Sequence, residues 1–492
     1  MKTRLHPFRS PSLAILFCLA APLTAHIGSP DVFFEGDAGP YKLLVTIRPP
    51  QVIPGAADIE IRSLAPDVSQ IHIVPLRLSA AQQLAPVPDL ARPAKQDPQY
   101  YTGSLWLMAT GSWKVRVDVD GARGKASLAV PVPALSTRVL GMQTAIEAVL
   151  IPLGVLLVLG LVAVVGASVR EAQLPPGVAP DGARVRGSRI AMAAAAIVLA
   201  IVLWGGNAWW NSEAADYSRI VYKPIGLQAT VENGNQLVLQ LRDPGWLNRR
   251  TDDLLPDHNH LMHLYVIGLP RMDRVWHLHP ELGDTGTFRQ SLPTMPAGRY
   301  ALYGDIVHAN GIGETLTAQL DLPAIQGQEL TGDDAGYEPL PVKTSYDPGV
   351  SELPGGYRMI WERGAGPIHA RRPYQFRFRL QDEAGGAPAD MELYMGMLGH
   401  AAFVATDGSV FAHVHPSGSV PMAALGLAQP TNPHAQHMPM PSGPGSVEMT
   451  GGLGAEVGFP YGFPKPGAYR VFVQMKRGGR ILTGAFTTTV EN

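Results

Sequence analysis

Along residues 26–140 apolar and polar positions alternate with a period of two. The runs LLVTIRP, ADIEIRS, QIHIVPLRL, GSLWLM, SWKVRVDVDG and ASLAVPVPA are separated at regular intervals by turn residues. A strand sends successive side chains to opposite faces, so each run reads as a strand with one packed and one wet face. The series predicts a small antiparallel sandwich. Two later stretches lose the alternation and become apolar all round, Ala148 to Val169 and Ile190 to Trp210. Each is long enough for the roughly 20 residues that a bilayer-crossing helix needs. The loop between them, 170–189, carries Arg170, Arg184, Arg186 and Arg189 against Glu171 and Asp181. The positive-inside rule makes that loop cytoplasmic and leaves Trp204, Trp209 and Trp210 at the opposite interface. Residues 1–25 have the build of a secretory signal, with Lys2, Arg4 and Arg9 ahead of an apolar Leu13–Leu23 and small Ala25 at the cut. On this topology the regions on either side of the hairpin share the outer compartment, the periplasm, and the anchor is the inner membrane.

After the second span the pattern repeats itself. One copy reads HNHLMHLYVIGLPRMDRVWHLHP from His258 and then PAGRYALYGDIVHANG; the other reads MGMLGHAAFVATDGSVFAHVHP from Met395 and then KPGAYRVFVQMKRGG. Each has a His-bearing strand, a short turn, an H-x-H-P strand end, a Pro/Gly turn and an aromatic strand. Aligned on His263 and His400, the copies define module one at 218–323 and module two at 351–492. The segment 324–350 between them is Gly/Asp/Pro-rich and aperiodic and reads as a linker. The expected architecture is mainly β: three Ig-like antiparallel sandwiches, with a two-helix transmembrane hairpin between the first and second.

Composition narrows the chemistry. The net charge is −2 and 16% of residues are charged, which leaves no basic field for nucleic acid. The only cysteine, Cys18, lies in the signal, so disulfides, zinc-thiolate, blue-copper and c-haem sites are excluded. Metal chemistry here must use His, Met, Asp or Glu. No nucleophile elbow, H-E-x-x-H or phosphate loop is present, so the chain does not read as an enzyme, and a His-ligated metalloenzyme subunit ranks last among the alternatives.

Twelve of the 15 histidines follow the second span, five of them in the first copy's motif and three in the second's. Strand alternation pairs His277 with His279 and His413 with His415 on one face, and likewise His258 with His260 and Met395 with Met397. Alignment sets His258 against Met395 and His260 against Met397. Imidazole and thioether share little except the ability to bind copper, and the exchange makes the second site softer. The expected ligands are therefore His258, His260, His263, His277 and His279 in module one, and Met395, Met397, His400, His413 and His415 in module two. For any single His, a surface or hydrogen-bonded structural role is the ordinary alternative, and Met395 and Met397 can be core fillers. A loop holding His434, His437, Met438 and Met440 can scavenge metal loosely. Cleavage after Ala25 would free His26 as a two-nitrogen clamp, with His72 the one other His of that domain. Trp276, Tyr300, Tyr303, Tyr469 and Phe472 read as core.

The stretches DHNHLMHLYVI, WHLHPE, MGMLGHAAFV and FAHVHPSGS resemble the H-x-H-P modules of metal-binding bacterial envelope proteins. IRPPQVIPG and YYTGSLWLMATGSWKVRV are similar to YtkA-like and FixH-like sandwich domains. An exported sandwich beginning at His26 is similar to the CopC copper-resistance proteins. These resemblances imply copper or heavy-metal handling, and no reaction. The expectation is an envelope protein that binds a copper ion, Cu(I) or Cu(II), and holds it or passes it to another envelope metal-handling protein. The competing expectation is an assembly or sensory protein whose sandwiches dock a membrane partner.

Overall fold

The computed structural model describes residues 31–79, 85–139, 141–247, 249–284, 286–339, 347–364, 366–429 and 453–492. The signal segment, Cys18, His26 and the loop with His434, His437, Met438 and Met440 lie outside them. The chain is mainly β, with its strands in antiparallel sheets and two long apolar helices between the first β domain and the rest.

The N-terminal domain has eight strands in the order Val32–Ala38, Tyr41–Arg48, Gly55–Ser63, Asp97–Leu107, Asp89–Ala94, Val68–Arg77, Gly111–Gly121 and Gly124–Ala134. Its alternation works as the pattern dictates: Ala57, Ile59 and Ile61 of one strand and Val115, Val117 and Val119 of another point into a single core. Fully burying each such aliphatic side chain contributes about 1.5–3 kcal/mol.

Helix α1 (Thr144–Glu171) and helix α2 (Gly182–Ile220) are each long and apolar enough to cross a membrane. Both extend beyond the apolar runs, and at the start of α2 Asp181 caps the helix, accepting from the Arg184 amide at 2.8 Å. The helices touch where Gly166 meets Ser188, whose hydroxyl donates to the Gly166 carbonyl at 2.7 Å. A Cβ on Gly166 would lie 2.5 Å from the Met192 sulfur, so a larger residue there would have to displace the Met192 side chain. The outer ends of the hairpin are tied together as well. The Tyr222 amide donates to the Ser136 carbonyl at 2.7 Å, and Tyr217 Oη bonds Ser136 Oγ at 3.2 Å.

The two modules share one plan. Module one sets a four-stranded sheet against a six-stranded sheet built around Gly298–His308, which pairs with His263–Leu269 on one side and Gly313–Leu322 on the other. Module two repeats this around Gly467–Arg477, paired with His400–Ala405 and Arg480–Glu491. The H-x-H-P strands occupy matching positions, Val275–Leu278 beside the first His strand and Phe411–Val414 beside the second. The segment expected to be a linker contributes a strand, Ala335–Tyr337, which pairs with Val275–Leu278.

Strands His263–Leu269 and His400–Ala405 are buried on both faces. Leu264 and Val266 enter module one's own core, and Ala401, Phe403 and Ala405 enter module two's. The opposite faces meet each other: Tyr265, Ile267, Val275 and Tyr303 pack against Ala402, Val404, Phe411 and Phe472. Tyr303 stacks on Phe411 with ring centres 4.5 Å apart. The six-stranded sheets are thus packed face to face, apolar at one end of the strands and lined by imidazoles at the other.

The N-terminal domain closes over this pair. Val32–Ala38 exchanges backbone bonds with the 417–419 turn, Glu35 amide to Ser417 carbonyl at 2.8 Å and Ser419 amide to Phe33 carbonyl at 2.9 Å. Gly418 has φ +121°, and a Cβ there would sit 2.0 Å from the Phe33 oxygen, so no other residue fits. Helix α3 (Met422–Ala428) follows this turn and packs on the same domain.

Candidate metal centre

The imidazole end of the interface begins with two matching turns. Asp257 and His260 exchange backbone bonds of 2.8 and 2.9 Å around His258 (φ +50°) and Asn259 (φ +71°). Tyr394 and Met397 do the same around Met395 (φ +50°) and Gly396 (φ +79°). Two positive φ values define a type I′ hairpin turn, for which Asn and Gly at the second position are the favoured residues. This corrects the strand expectation for His258/His260 and Met395/Met397. In a tight turn, neighbours two apart need not share a face, and here they separate. The His258 ring crosses to module two, 5.0 Å from His400 and 4.8 Å from His415 between centres. His260 stays on module one and stacks on His279 at 4.0 Å.

Eight imidazoles meet in this way: His258, His260, His263, His277, His279, His400, His413 and His415. Two triads among them bring their ligand nitrogens within 4.8 Å of one another, His263/His277/His279 and His258/His400/His415. The first lies wholly in module one. The second is shared between the modules. His413 sits between the triads, 5.2 Å from His263 and 4.6 Å from His415.

The hydrogen bonds decide which nitrogen each ring offers. His277 Nδ1 donates to Gln474 Oε1 across the module interface at 2.9 Å. His279 Nδ1 donates to Asp334 Oδ1 at 3.0 Å, and His415 Nδ1 to the Val420 carbonyl at 3.4 Å. His263 is turned the other way, its Nε2 donating to the Asp257 carbonyl at 3.0 Å. The nitrogen left bare is Nε2 in His277, His279 and His415 and Nδ1 in His263. His263 Nδ1 and His277 Nε2 lie 3.2 Å apart, close to the roughly 3.3 Å that two nitrogens keep around one tetrahedral ion at 2.0–2.1 Å. Nε2 of His258, His279, His413 and His415 and both nitrogens of His400 are buried with no hydrogen-bond partner. Buried nitrogens without partners are costly unless something takes their lone pairs. A ring fixed at one nitrogen by a carbonyl or carboxylate, with the other bare, is the arrangement that metal-ligating histidines adopt. The residues present therefore fit an ion held by imidazoles.

Burial keeps these rings neutral. It holds His263, His277, His400 and His413 well below the usual histidine range, and neighbouring imidazoles add to the effect. His279 and His415 are pushed down to about 3 by burial, then by His260 and His258 respectively. Neutral imidazoles offer their lone pairs at neutral pH without first losing a proton.

Sequence reasoning offered Asp305 of the aromatic strand, with His308, as a further member of the first site, and missed Asp333, Asp334 and Gln474 as supporting residues. Asp333 and Asp334 come from the expected linker; Asp333 Oδ2 is 3.2 Å from His260 Nε2, and its carbonyl accepts from Tyr394 Oη at 2.7 Å. Gln474 and Asp305 occupy matching register positions, opposite His400 and His263. Gln474 reaches His277, and Asp305 Oδ2 lies 3.6 Å from His413 Nδ1, a reciprocal exchange between the modules. Paired aspartates just before a short strand, and Gln474 at the place in the second aromatic strand that Asp305 holds in the first, were the available signals.

The remaining candidates lie apart. His72 sits in the N-terminal sandwich across from Leu90 and Asp118 and joins neither triad. His308 bonds Asp253 at 2.9 Å beside the buried Arg249–Glu314 pair. His369 bonds the Asn492 backbone oxygen at 2.8 Å. Met395 and Met397 are half-buried on the second turn, where the Met395 backbone holds the His258 ring. Trp276, Tyr300, Tyr303, Tyr469 and Phe472 are all buried.

Residues 351–492, module two, match the family described as Domain of unknown function (DUF8832). No curated protein matches the chain. Among solved structures, the chain is similar to the tetra-tandem repeat in the extending region of a large adhesion protein. That match has 8% identity and TM-score 0.17, covering 93% of this chain and 82% of that one. It is also similar to the native conformation of Escherichia coli alpha-2-macroglobulin, at 9% identity and TM-score 0.20, covering 95% of this chain and 23% of that one.

Proposed function

We propose that the protein is a membrane-anchored, extracytoplasmic copper-binding protein that holds the ion between its two modules and passes it to another envelope protein. The carrying observation is the set of buried imidazole nitrogens without partners in His258, His279, His400, His413 and His415, with His279 and His415 anchored from behind by Asp334 and Val420, beside His263 and His277, anchored by Asp257 and Gln474 with their inward nitrogens 3.2 Å apart. An all-imidazole donor set suits copper and zinc. Copper is taken as the ion because the resemblances of the H-x-H-P modules and of the N-terminal sandwich point to copper or heavy-metal handling, and the Zn(II) arm of the titration below separates the two. The half-exposed His260, 26% exposed, gives the cluster its contact with solvent and a place for exchange.

Membrane anchoring rests on two helices that are apolar all round through their hydrophobic runs, exposed along their lengths and packed against each other. The Arg-rich loop between them supports an outer location for the three β domains.

Titrating the detergent-purified full chain with Cu(I), Cu(II) and Zn(II) tests the reading. Copper should bind more tightly than about micromolar. Changing His277 and His279 together to Ala should weaken it beyond the roughly 10–100-fold that loss of an outer partner costs. Affinity weaker than that and unchanged in the variant would leave the cluster a structural one.

A further inference from the structure

The second triad takes two members from one module and one from the other, and the rings of the two triads are neighbours. His258 lies 6.1 Å from His263, and His277 lies 6.4 Å from His400, between centres. His413 stands in the gap between them, buried, with a bare Nε2. One ion accepts at most about four such donors in a tetrahedral shell. Seven of the eight rings are buried or nearly so, more than one shell can use.

Building on the copper reading, we infer that this interface holds two copper ions side by side in a single centre, one in each triad, with His413 between them. The module duplication supplies one triad twice: His263, His277 and His279 correspond to His400, His413 and His415 by register. His258, crossing from the first turn, completes the second triad and leaves His413 free to lie between the ions. Each ion then has its own anchored ligands, Asp334 and Gln474 behind the first and Val420 behind the second. The two sites share no protein ligand that must be lost when one ion leaves, so they can fill and empty in succession.

Chelator-buffered Cu(I) titration of the full chain, followed by oxidation and electron paramagnetic resonance, tests this. The wild type should take two equivalents, and the oxidised form should show a signal broadened or lost through the neighbouring ion. His258→Ala and His279→Ala should each retain one equivalent with a sharp mononuclear signal, which also shows that each variant folds. The double variant should lose both. One wild-type equivalent that either change abolishes would mean a single shared ion. Two equivalents with sharp, uncoupled signals would mean separated sites. Either result overturns the paired centre while leaving copper binding in place, whereas no bound copper would overturn the underlying reading itself.

Discussion

The turn that carries His258 and His260 in module one carries Met395 and Met397 in module two, with the same backbone bonds and the same left-handed φ values. The polar residue at one matching strand position is Asp305 in module one and Gln474 in module two. Even their partners correspond: Thr315 Oγ1 donates to Asp305 Oδ1 at 2.5 Å, and Gln474 Nε2 donates to Thr483 Oγ1 at 3.3 Å. The scaffold is repeated and the chemistry on it is not. Each module alone presents three strand-borne imidazoles with bare nitrogens. Only their face-to-face packing lets His258 join a second group and lets Gln474 hold His277. The difference teaches that the repeated scaffold fixes the interface, and that the unequal side chains on it divide one cluster into unlike halves.

The apolar end of that interface is where the comparison breaks most easily. Phe411 of module two is fully buried and lies on Tyr303 of module one, and it also touches Tyr265. Phe411→Ala should cost about 3–5 kcal/mol, the usual effect of emptying an aromatic site in a core. It should lower the thermal midpoint of the full chain and weaken copper binding as the sheets shift. A loss under about 1 kcal/mol would mean that the modules hold their positions without this contact.

How the chain signals this is uneven. The strands were legible because half-buried sheets alternate, as Ile59, Ile61 and their neighbours do. The hairpin was legible because Ala148–Val169 has no polar face. The strand-borne donors His277, His279, His413 and His415 were visible as two H-x-H-P ends. Their union in one cluster was not, since the face of Tyr265 and Ile267 looks like any core stripe until a second sheet covers it. The turns were misread because D-H-N-H carries Asn at the position where a type I′ turn needs positive φ, a hairpin signal easily overlooked beside three polar neighbours. Asp333 and Asp334 stayed hidden because a carboxylate in an aperiodic stretch gives no sign of what it will bond.

A sharper probe of the same asymmetry is pH. Asp305 is buried, and burial pushes its carboxyl up to about 7 from the usual 3.8. A raised acid binds its proton more readily in the folded chain, so its contribution to stability is present below 3.8 and lost as pH rises through about 7. The histidines act in the opposite sense. His279 and His415, lowered from 6.5 to about 3, contribute stability that is present above 6.5 and lost as pH falls toward about 3. With several lowered histidines against the raised carboxyls of Asp305, Asp334 and Asp31, the metal-free protein should lose stability on acidification below 6.5. Asp305→Asn, which gives module one the amide that module two already has in Gln474, should raise the thermal midpoint above about pH 7 relative to wild type and leave the acid limb unchanged. Equal midpoints for the two proteins across the range would show that Asp305 is not an opposing group.

The smallest expected effect concerns the thioethers. Met395 and Met397 stand where His258 and His260 stand in the other copy, yet the bond they supply to the cluster is a backbone one, from Met395 to the His258 ring. Both side chains are half-buried, so exchange for Leu keeps volume and should cost less than about 1.5 kcal/mol. Met395→Leu/Met397→Leu should therefore bind copper within about twofold of wild type, a difference of about 0.4 kcal/mol. Because imidazoles serve both oxidation states and thioethers favour Cu(I), the measurement should be made for both ions. A tenfold loss confined to Cu(I) would put sulfur in the coordination shell and make the second half of the cluster the softer one. Equal, small changes for Cu(I) and Cu(II) would leave the turn's task as the one its backbone performs, holding His258 across the interface.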